Sequence, residues 1–143
     1  MTQTFDLAIL GAGPGGYSAA IRARQLGLSV ALVDSGLAGG VCLHEGCIPS
    51  KALLHAAKLR HMAMHEGALM GLGFSKPTVD VAALQTWKRG IVERLEAGVS
   101  GLLKKHGVER FPIRGRLTHT SGLELLDANG NSSGRLGFRN LIL

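Results

Sequence analysis

The chain has 143 residues, 45% of them hydrophobic, which is enough for one domain with its own core and too short for most two-domain enzymes. Its 16 lysines and arginines outnumber 10 acidic residues, but they are scattered and not interleaved with aromatic residues, which argues against nucleic-acid binding. No secretory signal and no run near the roughly 20 apolar residues of a membrane-spanning helix is visible, so we expect a soluble cytoplasmic protein without a membrane partner.

The N-terminal sequence predicts a strand, a helix and a second strand. A short apolar run at residues 5–10 ends at GAGPGG, and residues 14–26 follow as a helix that Gly27 ends. Residues 29–33 then predict a second buried strand, which Asp34 closes. Because both strands are largely apolar, they indicate a parallel sheet covered on both faces.

The rest of the chain predicts two helices followed by strands. A helix is expected from residue 50 to about 65, and Asp80 is placed to cap a longer one, which Gly107 ends. One apolar stripe is expected along that helix, made of Leu84, Trp87, Ile91, Leu95, Val99 and Leu102. Strands are expected at 109–117, 123–126 and 135–143. The predicted fold class is therefore α/β, with a Rossmann-like βαβ unit, a parallel sheet, a long helical segment and a C-terminal antiparallel β-meander.

Three glycines, Gly11, Gly13 and Gly16, match G-x-G-x-x-G between the first strand and the first helix. The first glycine makes a tight turn, the second lets a pyrophosphate approach the backbone, and the third lets the helix pack on the strand. The free N–H groups of the helix N-terminus favour phosphate there. Asp34, at the end of the second strand, is placed to bind a ribose diol, which disfavours NADP and leaves FAD and NAD open.

The two cysteines, Cys42 and Cys47, lie in GGVCLHEGCIPSK, and the local sequence leaves three uses open. A zinc site could recruit His44 or His55 but lacks a second Cys/His pair at finger-like spacing, so no metal site is expected. Buried, unreactive thiols are common in proteins. A reversible disulfide is the third use, and a helix beginning near Cys47 would stabilise its thiolate. The position of the pair shortly after Asp34 favours this redox use beside a bound dinucleotide.

Three stretches carry a family resemblance that covers essentially residues 5–143: GAGPGGYSAAIRARQLGLSVALVD, GGVCLHEGCIPSKALLHAA and VERLEAGVSGLLKKHGVE. They resemble the N-terminal part of the FAD-dependent pyridine nucleotide–disulfide oxidoreductase family. The C-x4-C-x-P-S-K signature is highly specific for that family. The tail IPSKALLH favours the dihydrolipoamide dehydrogenases within it over the glutathione and mercuric reductases.

The resemblance implies a role for each matching residue. Cys42 would be the interchange thiol, which forms the mixed disulfide with the lipoyl group, and Cys47 would be the thiolate that faces the flavin. Asp34 would bind the adenosine ribose of FAD, although the family usually has the longer Glu at this position. The other cofactor contacts implied are Gly11, Gly13 and Gly16 at the pyrophosphate, Gly40, Val41 and Cys42 on the flavin side, Lys51 near the isoalloxazine, and Gly115 at the adenine.

Members of the family are much longer than this chain. The resemblance therefore implies that residues 1–143 are the N-terminal part of an FAD/NAD(P)-binding domain, incomplete as a domain and without the NAD and dimerisation domains. The implied parent is a homodimer that serves lipoyl domains of 2-oxo acid dehydrogenase or glycine-cleavage complexes. It oxidises dihydrolipoamide and passes electrons through the Cys42–Cys47 disulfide and FAD to NAD+.

We expect the chain by itself to have no turnover. Two alternatives stay open: another family member, such as a mercuric or glutathione-type reductase, and a non-catalytic FAD-binding redox module that functions at this length.

Overall fold

The structure is a computed structural model that describes residues 3–119 and 121–143. Its helices and strands follow the predicted order, with an additional short helix that contains Cys42, ahead of the helix that begins at Cys47, and a short 3-10 helix at Gly67–Met70. The elements in chain order are β1 (Gln3–Leu10), α1 (Pro14–Gln25), β2 (Val30–Val33), α2 (Gly40–His44), α3 (Cys47–His65), α4 (Val81–Lys105), β3 (Glu109–Phe111), β4 (Arg114–His119), β5 (Gly122–Leu126) and β6 (Ser132–Ile142).

The described residues form two compact units. The first comprises the residues up to Val41 together with Glu96–Leu143, and the second comprises Cys42–Leu95. All six strands lie in the first unit, whereas α3 lies in the second. The predicted dinucleotide motif and the predicted redox cysteines therefore belong to different units, and each is described within its own.

The sheet of the first unit combines parallel and antiparallel strands in the order β3-β2-β1-β6-β5-β4. Strand β1 pairs in parallel with β2 and β6, β2 pairs in parallel with β3, and β4, β5 and β6 form an antiparallel meander. The long strand β6 joins the two parts, because Leu136 lies opposite Gln3 of β1 and also opposite Leu123 of β5. The predicted α/β fold class, with its parallel sheet and C-terminal meander, is confirmed.

The single strand predicted at residues 109–117 was wrong, because this stretch forms two strands at opposite edges of the sheet. The break falls at Pro112, which has no N–H to donate to a strand ladder. Beyond it the Ile113 N–H bonds back to the Phe111 carbonyl at 2.8 Å, and this tight turn redirects the chain into β4.

Apolar side chains pack on both faces of the parallel strands, as their largely apolar sequence predicted. On one face Ile9 and Leu32 pack with α1 and with Leu103 of α4. On the other face Val33 packs with residues of the meander, including Leu136. All four residues of β2 are buried, and each large aliphatic side chain removed from water in this way contributes roughly 1.5–3 kcal/mol.

The apolar stripe predicted along α4 is only partly buried. Trp87, Leu95 and Leu102 are 43%, 43% and 47% exposed, and the buried residue of the helix is Leu103, at 1%. Val99 is the member of the predicted stripe that packs, half-buried, against the same core as Leu103. Periodicity alone could not show which part of the helix is covered, and the buried Leu103 lies next to the predicted stripe rather than in it.

The exposed glycines of α4 give a prediction about stability. A Cβ placed on Gly98 meets nothing within 4 Å, and alanine in a helix interior is favoured over glycine by roughly 0.5–1 kcal/mol. We expect Gly98→Ala to raise the free energy of unfolding by about that amount, measured by urea denaturation followed by circular dichroism. Gly107→Ala is the matched control and should destabilise, because Gly107 has φ +70°. A loss of stability in Gly98→Ala would contradict the described exposure of α4.

The meander contains a buried carboxylate that the sequence analysis did not single out. Glu124 of β5 is 6% exposed, and its Oε2 accepts hydrogen bonds from Nε and Nη2 of Arg116 on β4 at 3.2 and 2.6 Å. Arg135 of β6 lies 3.9 Å from the other carboxylate oxygen. The hydrogen bonds from Arg116, followed by one from Ser132, lower the pKa of Glu124 below its ordinary value.

This lowered pKa predicts acid sensitivity of the meander. Because the pKa of Glu124 is lower in the folded than in the unfolded chain, its contribution is complete at neutral pH and is lost as the pH falls through the folded pKa. We expect Glu124→Gln to lower the Tm at pH 7, and the difference from the parent chain to shrink as the pH falls towards and through the lowered folded-state pKa. Thermal melts between pH 7 and pH 3 measure this, with the exposed Glu93→Gln as the control. A difference in Tm that does not change with pH would contradict it.

Candidate functional site

The glycine-rich loop between β1 and α1 has the backbone geometry that the motif predicted. Gly11 adopts φ +113°, in the left-handed region that favours glycine, and its N–H donates to the Val33 carbonyl at 2.9 Å. Gly16 lies in the first turn of α1, and a Cβ there would overlap the carbonyl oxygen of Gly11. Gly11 is therefore required by the turn, and Gly16 by the close packing of the helix on the loop.

The same loop meets the requirements for holding a pyrophosphate. Gly13 is the N-cap of α1, and a Cβ at Gly13 would project into open space, with no atom within 4 Å. Across the part of the chain that the structure describes, no side chain caps the first turn of α1. The loop thus offers both an open approach to the backbone and N–H donors at a helix N-terminus, which suit an anion.

Asp34 has a structural role that the sequence did not reveal. Its Oδ2 accepts a hydrogen bond from the Ala12 N–H at 2.6 Å, and its Oδ1 accepts one from the Gly36 N–H at 2.7 Å. The carboxylate therefore ties the end of β2 to the glycine-rich loop. Each oxygen of a carboxylate can accept a further hydrogen bond, so ribose binding by the half-exposed Asp34 stays a prediction that this geometry permits.

A cleft of about 230 Å³ lies at the carboxyl ends of β1 and β2. It brings together three predicted cofactor residues that are far apart in the sequence, Gly11, Asp34 and Gly115. The volume is below the roughly 300 Å³ of a typical ligand pocket, so it suits one part of a dinucleotide. The other residues that line it are Leu10, Val33, Ser35, Ile113 and Arg114, of which the sequence analysis assigned none to the cofactor.

Gly115 allows β4 to lie against the ends of β1 and β2. A Cβ there would be 2.7 Å from Cδ1 of Leu10 and 3.1 Å from Cγ1 of Val33, so the Leu10 side chain would have to move and the contact with Val33 would be tight. No local signal in the sequence marks this contact, because it depends on the course of the meander. The structure places Gly115 at the cleft, and its contact with an adenine stays a prediction.

The segment that follows β2 returns to the glycine-rich loop. Gly39 and Gly40 adopt φ +104° and +59°, and the Gly39 N–H donates to the Ala12 carbonyl at 2.9 Å. A Cβ on Gly40 would be 2.8 Å from the Cα of Gly13. Gly40 is thus needed for backbone to pack on backbone, and Gly39 for its left-handed φ. Val41, which follows, is 71% exposed, and the flavin-side roles of Gly40 and Val41 stay predictions.

In the second unit Cys42 and Cys47 form a disulfide, with their Cα atoms 4.7 Å apart. The bridge joins α2 to the first residue of α3, and both cysteines are half-buried. Of the three uses that the local sequence left open, the structure shows the disulfide bond, with neither thiol free for zinc or for simple packing, and its reversible redox use stays a prediction. The N-terminus of a 19-residue helix at Cys47 is where a helix dipole stabilises a thiolate.

The residues after Cys47 explain the local part of the C-x4-C-x-P-S-K signature. Pro49 is buried in the first turn of α3, where the absence of an N–H costs no helix hydrogen bond. Ser50 donates from its hydroxyl to the Gly46 carbonyl at 2.6 Å, which anchors the start of the helix. Lys51 lies exposed on the same turn, and its predicted place near an isoalloxazine stays a prediction.

None of the helices in the described ranges combines the length with the apolar character needed to cross a bilayer.

The chain combines a glycine-rich loop whose N–H donors suit an anion with a disulfide that follows it in the sequence at a helix N-terminus. This combination is typical of a dinucleotide-dependent thiol–disulfide oxidoreductase. The sequence profile described as pyridine nucleotide-disulphide oxidoreductase matches residues 5–143, and the chain belongs to that family. The family resemblance stated from the sequence is thereby confirmed.

Several curated proteins are similar to the chain. It is 45% identical over 137 residues to a dihydrolipoyl dehydrogenase of Thermus scotoductus, covering 95% of this chain and 28% of the relative. It is 45% identical over 142 residues to the protein of that name in Pseudomonas aeruginosa, covering 96% and 30%, respectively. For the dihydrolipoyl dehydrogenase of Geobacillus stearothermophilus the identity is 44% over 138 residues, covering 96% and 29%. The chain thus spans less than a third of the length of each of these relatives.

Proposed function

We propose that this chain provides the FAD-binding and disulfide-bearing part of an enzyme that oxidises protein-bound dihydrolipoamide. The observation that carries the proposal is the Cys42–Cys47 disulfide, which follows a glycine-rich dinucleotide unit in the sequence and ends at the N-terminus of α3. The names of the similar proteins support dihydrolipoamide as the substrate. In this proposal residues 1–143 are the N-terminal part of an FAD/NAD(P)-binding domain in a cytoplasmic protein.

The first unit would hold FAD through its backbone. Gly13 leaves the approach open for the pyrophosphate, and the N–H groups at the start of α1 would donate to it. Asp34 would accept hydrogen bonds from the ribose while it holds the loop through Ala12. Gly115 would let the backbone of β4 reach the adenine. When bound, FAD would supply an acceptor for the electron pair of the reduced cysteines and pass that pair to NAD+.

The cysteine pair would carry out thiol–disulfide exchange. One thiolate of dihydrolipoamide attacks the sulfur of Cys42, so the Cys42–Cys47 bond breaks, a mixed disulfide forms and Cys47 leaves as a thiolate. The second lipoyl thiolate then attacks the lipoyl sulfur of the mixed disulfide, which closes the lipoamide ring and releases Cys42 as a thiolate. Two electrons pass from dihydrolipoamide to the cysteines, and its two protons go to solvent or to the cysteines. The N-terminus of α3 favours Cys47 as the first leaving group.

Partners and turnover are part of the same proposal. The substrate would arrive on lipoyl domains of 2-oxo acid dehydrogenase or glycine-cleavage complexes, and the working enzyme would be a homodimer. The short coverage of the relatives supports the further proposal that residues 1–143 by themselves do not turn over NAD+.

The test measures NADH formation from dihydrolipoamide and NAD+ by the protein expressed from its own gene, with NADPH-dependent reduction of glutathione disulfide and of mercuric ion assayed in parallel. In residues 1–143 alone, we expect dihydrolipoamide to convert the disulfide into two titratable thiols without continuing NADH formation. Activity only towards glutathione disulfide or mercuric ion would favour the other reductases. Stable retention of FAD without any of these activities would favour a non-catalytic redox module.

A further inference from the structure

We propose that His61 and His65, near the end of α3, form a two-histidine binding site for zinc ion. The two rings lie on the same face of the helix, with centroids 4.6 Å apart and planes inclined at 40°. Both residues are exposed. This site is separate from the cysteines and the dinucleotide loop in both residues and chemistry, so it does not depend on the proposed function.

The spacing of the two histidines suits chelation. Residues four apart on a helix lie one above the other on one face. Two imidazole nitrogens that each lie about 2.0–2.1 Å from a shared zinc ion must be within about 4.2 Å of each other. Rings whose centroids are already 4.6 Å apart reach this arrangement by small rotations of exposed side chains. Neutral imidazole is the commonest metal ligand in proteins and suits zinc, copper and nickel.

The end of the helix also favours a cation. His65 is the last residue of α3, where the free carbonyl groups give the negative end of the helix dipole. Glu66, which is exposed, follows directly and adds a carboxylate to the surroundings. Lys58, one helical turn before His61, opposes this effect, but it is exposed and therefore screened by solvent.

The proposed zinc site has only two protein ligands, His61 and His65. Within the described residues no group of three or more His, Cys, Asp or Glu side chains could hold a metal ion. Water would therefore complete the tetrahedron around zinc, which makes this an open, exchangeable site rather than a closed structural one.

The experiment is calorimetric titration of the oxidised protein with zinc chloride in the absence of reductant, since a reduced cysteine pair is itself a zinc-binding group. We expect one zinc ion per chain. His61→Ala and His65→Ala should each weaken binding at least about tenfold, since loss of even an indirect partner of a metal ligand typically costs that much. The double variant should be little worse than either single variant, because each substitution already removes the chelate.

The matched control is His55→Ala, a third histidine on the same helix, which should bind zinc like the parent chain. Alanine favours helix, so the variants should keep the far-ultraviolet spectrum of the parent. As a second readout, zinc should raise the Tm of the parent and of His55→Ala but not of the double variant. Unchanged affinity in both single variants, or an equal loss in His55→Ala, would overturn the proposal.

Discussion

Gly13→Ala should weaken FAD binding by at least about tenfold, or about 1.4 kcal/mol, while leaving the fold intact. Gly13 has φ −70°, which every residue tolerates, and its Cβ would meet no atom within 4 Å. The new methyl group would occupy the space through which a pyrophosphate approaches the backbone. Binding is measured by calorimetric titration with FAD, and the fold is checked by the Tm and the far-ultraviolet spectrum.

The matched variant is Gly16→Ala, which adds the same methyl group three residues later. There the Cβ would overlap the Gly11 carbonyl oxygen, so the loop or the helix must shift. We expect a loss of about 1–3 kcal/mol in stability, typical of overpacking, in addition to weaker FAD binding. Undiminished FAD binding by Gly13→Ala would show that the pyrophosphate does not bind at the glycine-rich loop. A similar loss of stability in both variants would contradict the open space described at Gly13.

The second large effect is expected from Cys47→Ser. The serine can neither form the disulfide nor leave as a thiolate. Dihydrolipoamide-dependent turnover by the protein expressed from its own gene should therefore fall by about 10⁴-fold or more, as is typical when an enzyme loses a residue that forms a covalent intermediate. Loss of the bridge across its short loop should also lower the free energy of unfolding by about 2 kcal/mol. The measurements are NADH formation, thiol titration after reduction, and urea denaturation.

Cys42→Ser is the control that separates chemistry from stability. It opens the same loop, so its stability should equal that of Cys47→Ser, and each variant should show one thiol. Their reactivity should differ, because Cys47 alone lies at the N-terminus of α3 and its thiolate is stabilised there. Alkylation by iodoacetamide at neutral pH should accordingly be faster in Cys42→Ser. Turnover that survives either substitution would make the disulfide a structural one.

Much of the dinucleotide unit could be predicted because its determinants are local. The glycines at 11 and 16 and the strands around them lie within one short stretch, and backbone sterics dictate which positions require glycine. The acid at Asp34 was predicted from the motif, but its hydrogen bond to Ala12 was not. That contact depends on how closely the end of β2 approaches the loop, which spacing along the chain does not show.

The cysteine segment could be predicted only in part from the sequence. Its residues were compatible with a zinc site, with buried thiols and with a disulfide, since all three use the same side chains. The structure decided among them because α2 and α3 bring the two Cα atoms to 4.7 Å. The family resemblance supplied the expected chemistry of that bridge, which the local residues alone left open.

The sequence by itself determined the βαβ unit, the need for glycine at positions 11 and 16, the pairing of a dinucleotide motif with two cysteines, and the family. Only the tertiary structure decided that Gly115 meets Gly11 and Asp34 at one cleft, that Glu124 is buried beside Arg116, and that most of the stripe on α4 is not buried. The physical reason is the range of the interactions. Turns and helix starts are set by neighbouring residues, whereas the cleft joins residues as distant in the sequence as Gly11 and Gly115, and the burial of Glu124 depends on how β4, β5 and β6 pair.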